Sequence, residues 1–204
     1  MGIYREQVLP RVLNRVCGTK PIQAMRAKTV AGLSGTVVEI GFGSGLNVPV
    51  YPSEVTKVYA VEPASVSTKL AKQRIAASPV RIEHVGLDGQ SIPLDDDSCD
   101  HALSTFTLCT IPDVNQALAE ILRVVRPGGR FHFLEHGRSP DAKVEKWQHR
   151  LEPMQKRLFD GCHLTRDIAA IVEAAGFTIE KLETGYAPGP KPFSWHTDGV
   201  AIVP

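Results

Sequence analysis

The chain lacks any stretch of about 20 consecutive apolar residues, so no segment reads as a membrane-spanning helix. Its N-terminus carries Arg5 and Glu6 where a secretory leader would be apolar. It has no run of five or six like charges. Its 23 basic and 22 acidic residues are scattered to a net +1, which argues against a nucleic-acid partner. Cys17, Cys99, Cys109 and Cys162 form no CxxC pair and no secreted spacing, so they read as reduced thiols of a cytoplasmic protein. Beyond Cys162–His163 no Cys/His pair has ligand spacing, and no metal is expected. Internal repeats and low-complexity tracts are absent. What remains is a 204-residue chain, 43% apolar and 22% charged, enough for one domain with a full core.

Strands and helices alternate along it. Ile3, Tyr4, Val8, Val12, Leu13, Val16 and Cys17 fall at helical spacing up to Gly18, with Pro10 kinking or splitting the segment. "GTVVEIG", "KVYAVEP", "VRIEHVG", "DHALSTF" and "RFHFLEH" read as five strands, with a helix over 65–77 after the second. Asp113 and Gln116 have capping-box spacing ahead of the stripe Val114, Ala117, Leu118, Ile121, Leu122 and Val125, which Pro127 ends. Val144, Trp147, Leu151, Met154 and Leu158 predict a helix despite Pro153. "LTRDIAAIVEAAG" predicts another, with Thr165 as N-cap and Gly176 as stop. "FTIEKLETGYA" and "HTDGVAIV" are expected to pair antiparallel at the sheet edge, joined by the loop "PGPKPFS". The expected fold is an α/β, Rossmann-like, doubly wound, mostly parallel sheet in a single domain. Residues 1–35 would form an N-terminal helical cap on a domain spanning 36–204.

"VVEIGFGSGLN" sits where such sheets bind ligands, at the carboxyl end of the first strand. The dinucleotide fingerprint fails because its third glycine position is Leu46, and no Lys follows Gly45 as a phosphate-binding loop would require. What is left is Glu39 two residues ahead of Gly41, Gly43 and Gly45. An acid there repels a pyrophosphate and attracts a cation. Glu62 ends the second strand, placed to accept from two ribose hydroxyls, and Asp88 follows the third, placed to accept from an adenine amino group. Three acids at three strand ends suit an adenosyl ligand with a positive centre, such as S-adenosylmethionine. The glycines alone would equally suit a tight packing turn.

"VVEIGFGSGLN", "YAVEP", "IPLDDDSCDHALSTFTLCTIPD" and "ALAEILRVVRPGGRFHFLEHG" resemble the successive motifs of class I S-adenosylmethionine-dependent methyltransferases. They are most similar to the small-molecule group that includes the ubiquinone/menaquinone methyltransferases. "LEHGRS" and "WQHRLEPMQKRLFDGCHLTRD" resemble a narrower branch, the methyltransferase-like 7 group, whose members methylate alkyl thiols. The animal members carry a long N-terminal membrane anchor that this segment does not show, and the resemblance leaves peripheral membrane contact open. It implies a cofactor loop of Glu39, Gly41, Gly43 and Gly45, with Asn47 opening the next helix. Glu62 would hold the ribose, Asp88 and the Gly89 backbone would meet adenine, and Thr105 would line the cleft beside the sulfonium.

The implied partner is a small, apolar methyl acceptor, with a thiol the leading choice. A quinone- or phenol-like ring methylated on carbon or oxygen is the alternative, and a non-catalytic cofactor-binding protein is an alternative of another class. A thiol must become a thiolate, with help from a nearby cation or base. His136, His163 and Arg166 are candidates, and Asp160 could orient a histidine. Cys162 reads as packing in its turn, since direct transfer from a sulfonium needs no covalent enzyme intermediate. Phe106, Trp147, Phe159, Tyr186 and Trp195 could wall the acceptor pocket or serve as core.

Overall fold

The computed structural model describes residues 4–204, and the side chains of Arg5 and Glu6 lie outside that description, as does Ile3. Among the described residues seven strands form one sheet: β1 (Gly35–Ile40), β2 (Val55–Val61), β3 (Arg81–Gly86), β4 (Cys99–Thr105), β5 (Val125–His136), β6 (Thr178–Tyr186) and β7 (Trp195–Ile202). Their order is β3-β2-β1-β4-β5-β7-β6. The first five are parallel, and β7 lies antiparallel between β5 and the edge strand β6. The helices are α1 (Leu9–Val16), α2 (Lys20–Thr29), α3 (Ser65–Ala76), α4 (Val114–Val124), α5 (Ala142–Leu158), α6 (Ile168–Ala174) and α7 (Lys191–Ser194). This is the expected single-domain, Rossmann-like sheet with an antiparallel C-terminal pair.

Successive residues of β1 point to opposite faces and both faces are covered, as a central parallel strand requires. Val38 and Ile40 join Leu118, Ile121, Phe131 and Phe133 in one core. Val37 joins Val30, Leu33, Val58, Ala60 and Leu103 in the other. The side chain of Asp113 caps α4 by accepting from the Gln116 N–H at 3.0 Å.

The segment around Pro10 is split, one of the two outcomes expected: a π-helical turn, Tyr4–Val8, precedes α1, and Pro10 occupies the first turn of α1, where a missing N–H costs nothing. Other local expectations give way to the structure. Tyr4, Val8, Val12, Leu13 and Val16 are exposed, and Leu9 and Pro10 are the buried pair. α5 behaves the same way: Trp147, Met154 and Leu158 face outward, while Val144, Gln148 and Gln155 are buried. Gln148 is inside because its amide is satisfied there, accepting from Ser139 N and donating to the Gly137 carbonyl. The cap of α6 is Asp167, which accepts from the Ala170 N–H. Thr165 instead donates to Glu152. Asn47 opens only a 3₁₀ turn, Val48–Val50, because Pro52 cannot donate back to Val48 and holds Tyr51 extended.

No helix links β3 to β4. The Arg123 guanidinium on α4 fixes that loop by donating to the carbonyls of Ile92 and Leu94, and Glu120 accepts from the Ile92 N–H. Asp113→Ala is expected to destabilise the protein by about 1 kcal/mol through loss of the α4 cap. Urea unfolding of the variant checks this, and an unchanged midpoint would show the cap to be energetically idle.

Candidate functional site

The strand order reverses between β1 and β4, and their carboxyl ends frame the crevice. At its centre lies a charged cluster that is almost fully buried. Arg26, from α2, is 4% exposed, and Glu39, from β1, is 1% exposed. Asn47 bridges them: its amide oxygen accepts from Arg26 at 2.9 Å, and its amide nitrogen donates to Glu39 Oε1 at 2.9 Å. Thr105, at the end of β4, accepts from Arg26 at 2.6 Å and from Asn47 at 3.0 Å. The Tyr51 hydroxyl donates to the other Glu39 oxygen. Burial pushes the Glu39 carboxyl up to about 7, against the pull of Tyr51 and Asn47.

Glu62 closes the end of β2. It accepts from the Gly43 N–H at 2.7 Å and the Ala64 N–H at 2.8 Å, which fixes the glycine loop against β2. Burial raises its pKa, and Asp160, on the turn after α5, adds to the rise. Asp88 is exposed and accepts from the backbone and side chain of Gln90.

The glycines divide by what a Cβ would meet. At Gly41 it would run into Thr107 at 2.0 Å, and at Gly89 into Ile40 at 2.5 Å, so packing alone requires glycine at both. At Gly43, with φ +56°, the closest atom is the Gly41 carbonyl oxygen at 3.7 Å. Gly43 thus faces open space, beside a glutamate with lone pairs to spare. The buried Nε of Arg26 has no hydrogen-bond partner. An open cradle, an acid able to accept hydroxyls and a buried guanidinium with an unused donor fit S-adenosylmethionine, whose methionine part carries a carboxylate and whose ribose carries two hydroxyls.

The next strand end differs in chemistry. Phe106 follows Thr105 with φ +56°, a left-handed conformation that an aromatic residue rarely adopts. Its ring lies 5.3 Å from the Arg26 guanidinium and edge-on to the His136 imidazole at 5.2 Å. His136 Nδ1 is 3.8 Å from Cys162 Sγ, and Cys162 Sγ is 3.6 Å from Cys109 Sγ. The thiol–thiol contact, with His136, makes Cys162 the more acidic of the pair and Cys109 the less. His163 does not join His136. Its ring pairs with Glu152 on α5 at 3.1 Å. Arg166 donates to the Leu108 and Pro112 carbonyls and braces the loop after β4. Of the aromatic candidates, Phe106 lies in the site, while Trp147 and Tyr186 are exposed.

Sequence reasoning missed Arg26, since a single arginine in a helix reads as a solvated charge. It also missed Cys109, whose partners come from distant segments. A cation in the predicted cap was the available signal for Arg26.

Residues 38–133 match a family model described as a methyltransferase domain. Thiol S-methyltransferase TMT1B of Rattus norvegicus is 34% identical over 172 residues, covering 82% of this chain and 68% of the relative. Thiol S-methyltransferase TMT1A of Homo sapiens is 34% identical over 183 residues, covering 84% and 73%. The chain belongs to this methyltransferase family. It is a methyltransferase, and S-adenosylmethionine is its cofactor. Solved structures agree on the fold. A geranyl diphosphate methyltransferase in complex with S-adenosylmethionine superposes with a TM-score of 0.72 at 13% identity, covering 100% of this chain and 92% of that one. A methyltransferase from Aquifex aeolicus gives 0.68 at 16%, covering 96% and 98%.

Two outcomes follow for this methyltransferase. Gly43→Ala should fold at a cost of about 1–2 kcal/mol, from a Cβ in a left-handed backbone. Its cofactor affinity should fall by about ten- to a hundredfold, because the methyl occupies ligand space. Calorimetry showing wild-type affinity would make Gly43 a packing glycine. The second outcome concerns Glu39. Folding raises its pKa from 4.5 to about 7, so the folded chain holds this proton more tightly than the unfolded chain between those values. The cofactor-free protein therefore loses stability as pH rises through that window, by up to about 3 kcal/mol from this group. Glu39→Gln escapes the loss, so its stability relative to wild type should grow between about pH 5 and pH 8. Parallel pH profiles would contradict the assignment.

Proposed function

We propose that this methyltransferase transfers the methyl group of S-adenosylmethionine to the thiol of a small, apolar acceptor. The observation that carries the reading is the 34% identity to two thiol S-methyltransferases across more than four-fifths of the chain. The geometry is consistent with it. The cofactor supplies an activated methyl group, so the protein's task is alignment and a competent nucleophile. Following the strand order, Asp88 and Gly89 meet adenine, Glu62 holds the ribose, and the Gly41–Gly45 loop with Arg26, Asn47 and Thr105 holds the methionine part, beside Glu39.

The acceptor then lies beyond β4, against Phe106 and His136. The imidazole there favours thiolate over thiol. His163 acts through the turn it anchors: its ring on Glu152, and its N–H donated to the Cys109 carbonyl at 2.8 Å, hold Cys162 in place. Among the described residues, the segment up to residue 35 serves as a cap, since α2 delivers Arg26 into the site. Four free cysteines suit a reducing cytoplasm. The exposed apolar residues of α1 and α5 suit an apolar acceptor arriving in solution or from a membrane surface. None of the described helices is long and apolar enough to cross a membrane.

Incubation with labelled S-adenosylmethionine and a panel of aliphatic thiols, quinols and phenols tests the reading. Aliphatic thiols are expected to turn over, and a quinol methylated in their place would move the acceptor atom to carbon or oxygen. His136→Ala should lower thiol turnover by about 100-fold while leaving cofactor binding intact. Wild-type turnover in that variant would remove His136 from the acceptor site.

A further inference from the structure

Three segments far apart in the chain converge beside the acceptor end of the crevice. Cys109 lies in the loop after β4, His136 ends β5, and Cys162 lies in the turn after α5. One donor atom from each, two sulfurs and an imidazole nitrogen, lies within 4.8 Å of the other two. The sulfurs are 3.6 Å apart, and Cys162 Sγ is 3.8 Å from His136 Nδ1. A tetrahedral zinc ion has metal–sulfur bonds of about 2.3 Å and metal–nitrogen bonds of about 2.0–2.1 Å. Those bonds place neighbouring donors about 3.5–3.8 Å apart. The sulfur–sulfur spacing and the Cys162–His136 spacing are close to edges of such a tetrahedron, and the third edge, Cys109 to His136, is no longer than 4.8 Å. A disulfide would need the sulfurs at about 2.05 Å.

We propose that Cys109, Cys162 and His136 form a binding site for a soft divalent cation of the zinc class, with one coordination position left open. The donors are held in place. Glu135, fully buried, accepts from Ser104, from the Thr107 N–H and from the Cys109 N–H, which fixes the loop that presents Cys109. The His163 N–H donated to the Cys109 carbonyl joins the two cysteine segments backbone to backbone. Such supporting contacts orient the ligands of built metal sites. Two thiolates and a neutral imidazole balance a divalent charge, which suits burial of both cysteines.

Three protein ligands with an open position are the pattern of a reactive site rather than a structural one. The open corner takes a soft donor, and on the thiol reading above that donor is the acceptor itself. Cys109, Cys162 and His136 would hold the ion, and the ion would acidify a thiol bound at that corner, its proton passing to solvent. The thiolate so formed would take the methyl carbon as the cofactor's sulfur–carbon bond breaks, with S-adenosylhomocysteine as the leaving group.

Cobalt(II) tests the site without relying on turnover. The full chain, reduced and stripped of metal with a chelator, is titrated with cobalt(II). One equivalent is expected to bind, with a thiolate-to-cobalt charge-transfer band and tetrahedral visible absorption, both abolished by zinc. Cys109→Ser and Cys162→Ser should each lose the band while cofactor binding reports that they are folded. His136→Gln should weaken the tetrahedral absorption if either serine variant fails to fold. Absence of the band in folded wild-type protein overturns the site. A band that survives both serine variants also overturns it, by placing the ion elsewhere. So does protein purified without reductant that is lighter by two hydrogens and takes up no metal after reduction, since the pair would then be a disulfide. An aliphatic thiol should shift the cobalt band. An unshifted band in protein that methylates that thiol overturns the open-corner role. An intact band with no thiol turnover defeats the acceptor reading and leaves the metal site standing.

Discussion

The guanidinium of Arg26 is the constraint around which the site is arranged. A buried charge is costly unless it is paired and hydrogen-bonded. Arg26 meets that demand through Asn47 and Thr105, with the Glu39 carboxyl one hydrogen bond further on and the Phe106 ring beside it. These partners come from β1, the loop after β1, the end of β4 and the residue beyond it, while Arg26 itself comes from α2. Satisfying one charge therefore fixes the cap helix against the sheet, orients the Asn47 amide and holds the strand ends in register. Its buried Nε has no hydrogen-bond partner, a donor that a ligand could use.

The sheet order turns this local constraint into a layout. With β1 flanked by β2 and β4, the acid of β2 and the glycine loop of β1 lie on one side of the Arg26 cluster. The strained Phe106, His136 and the paired cysteines lie on the other. One side is rich in hydroxyl acceptors and open backbone, the other in sulfur and imidazole. A methyl group moving from a sulfonium to a soft nucleophile would cross the boundary between them.

Much of this was legible where the information is local. The glycine spacing, Glu39, Glu62 and the α4 capping box are contiguous signals, and the alternation of strands and helices pointed to the mostly parallel sheet without giving its strand order. The helical spacing in α1 and α5 gave the right secondary structure and said nothing of which residues are buried. Periodicity shows that a face exists without showing what covers it. Buried Gln148, satisfied by backbone at Ser139 and Gly137, could not be foreseen from spacing. Thr165 and Asp167 are equally good caps in sequence, and Glu152, from another helix, decided between them. Cys109 and Cys162 become neighbours only through the fold.

The central claim is that cofactor and acceptor occupy opposite sides of the Arg26 cluster. A crystal structure with S-adenosylhomocysteine and an aliphatic thiol tests it most directly. The account predicts adenine near Asp88 and Gly89, the ribose on Glu62, and the acceptor sulfur between Phe106, His136 and Cys162. An acceptor approaching from the β2 side, with His136 and Cys162 remote from both sulfurs, would contradict it.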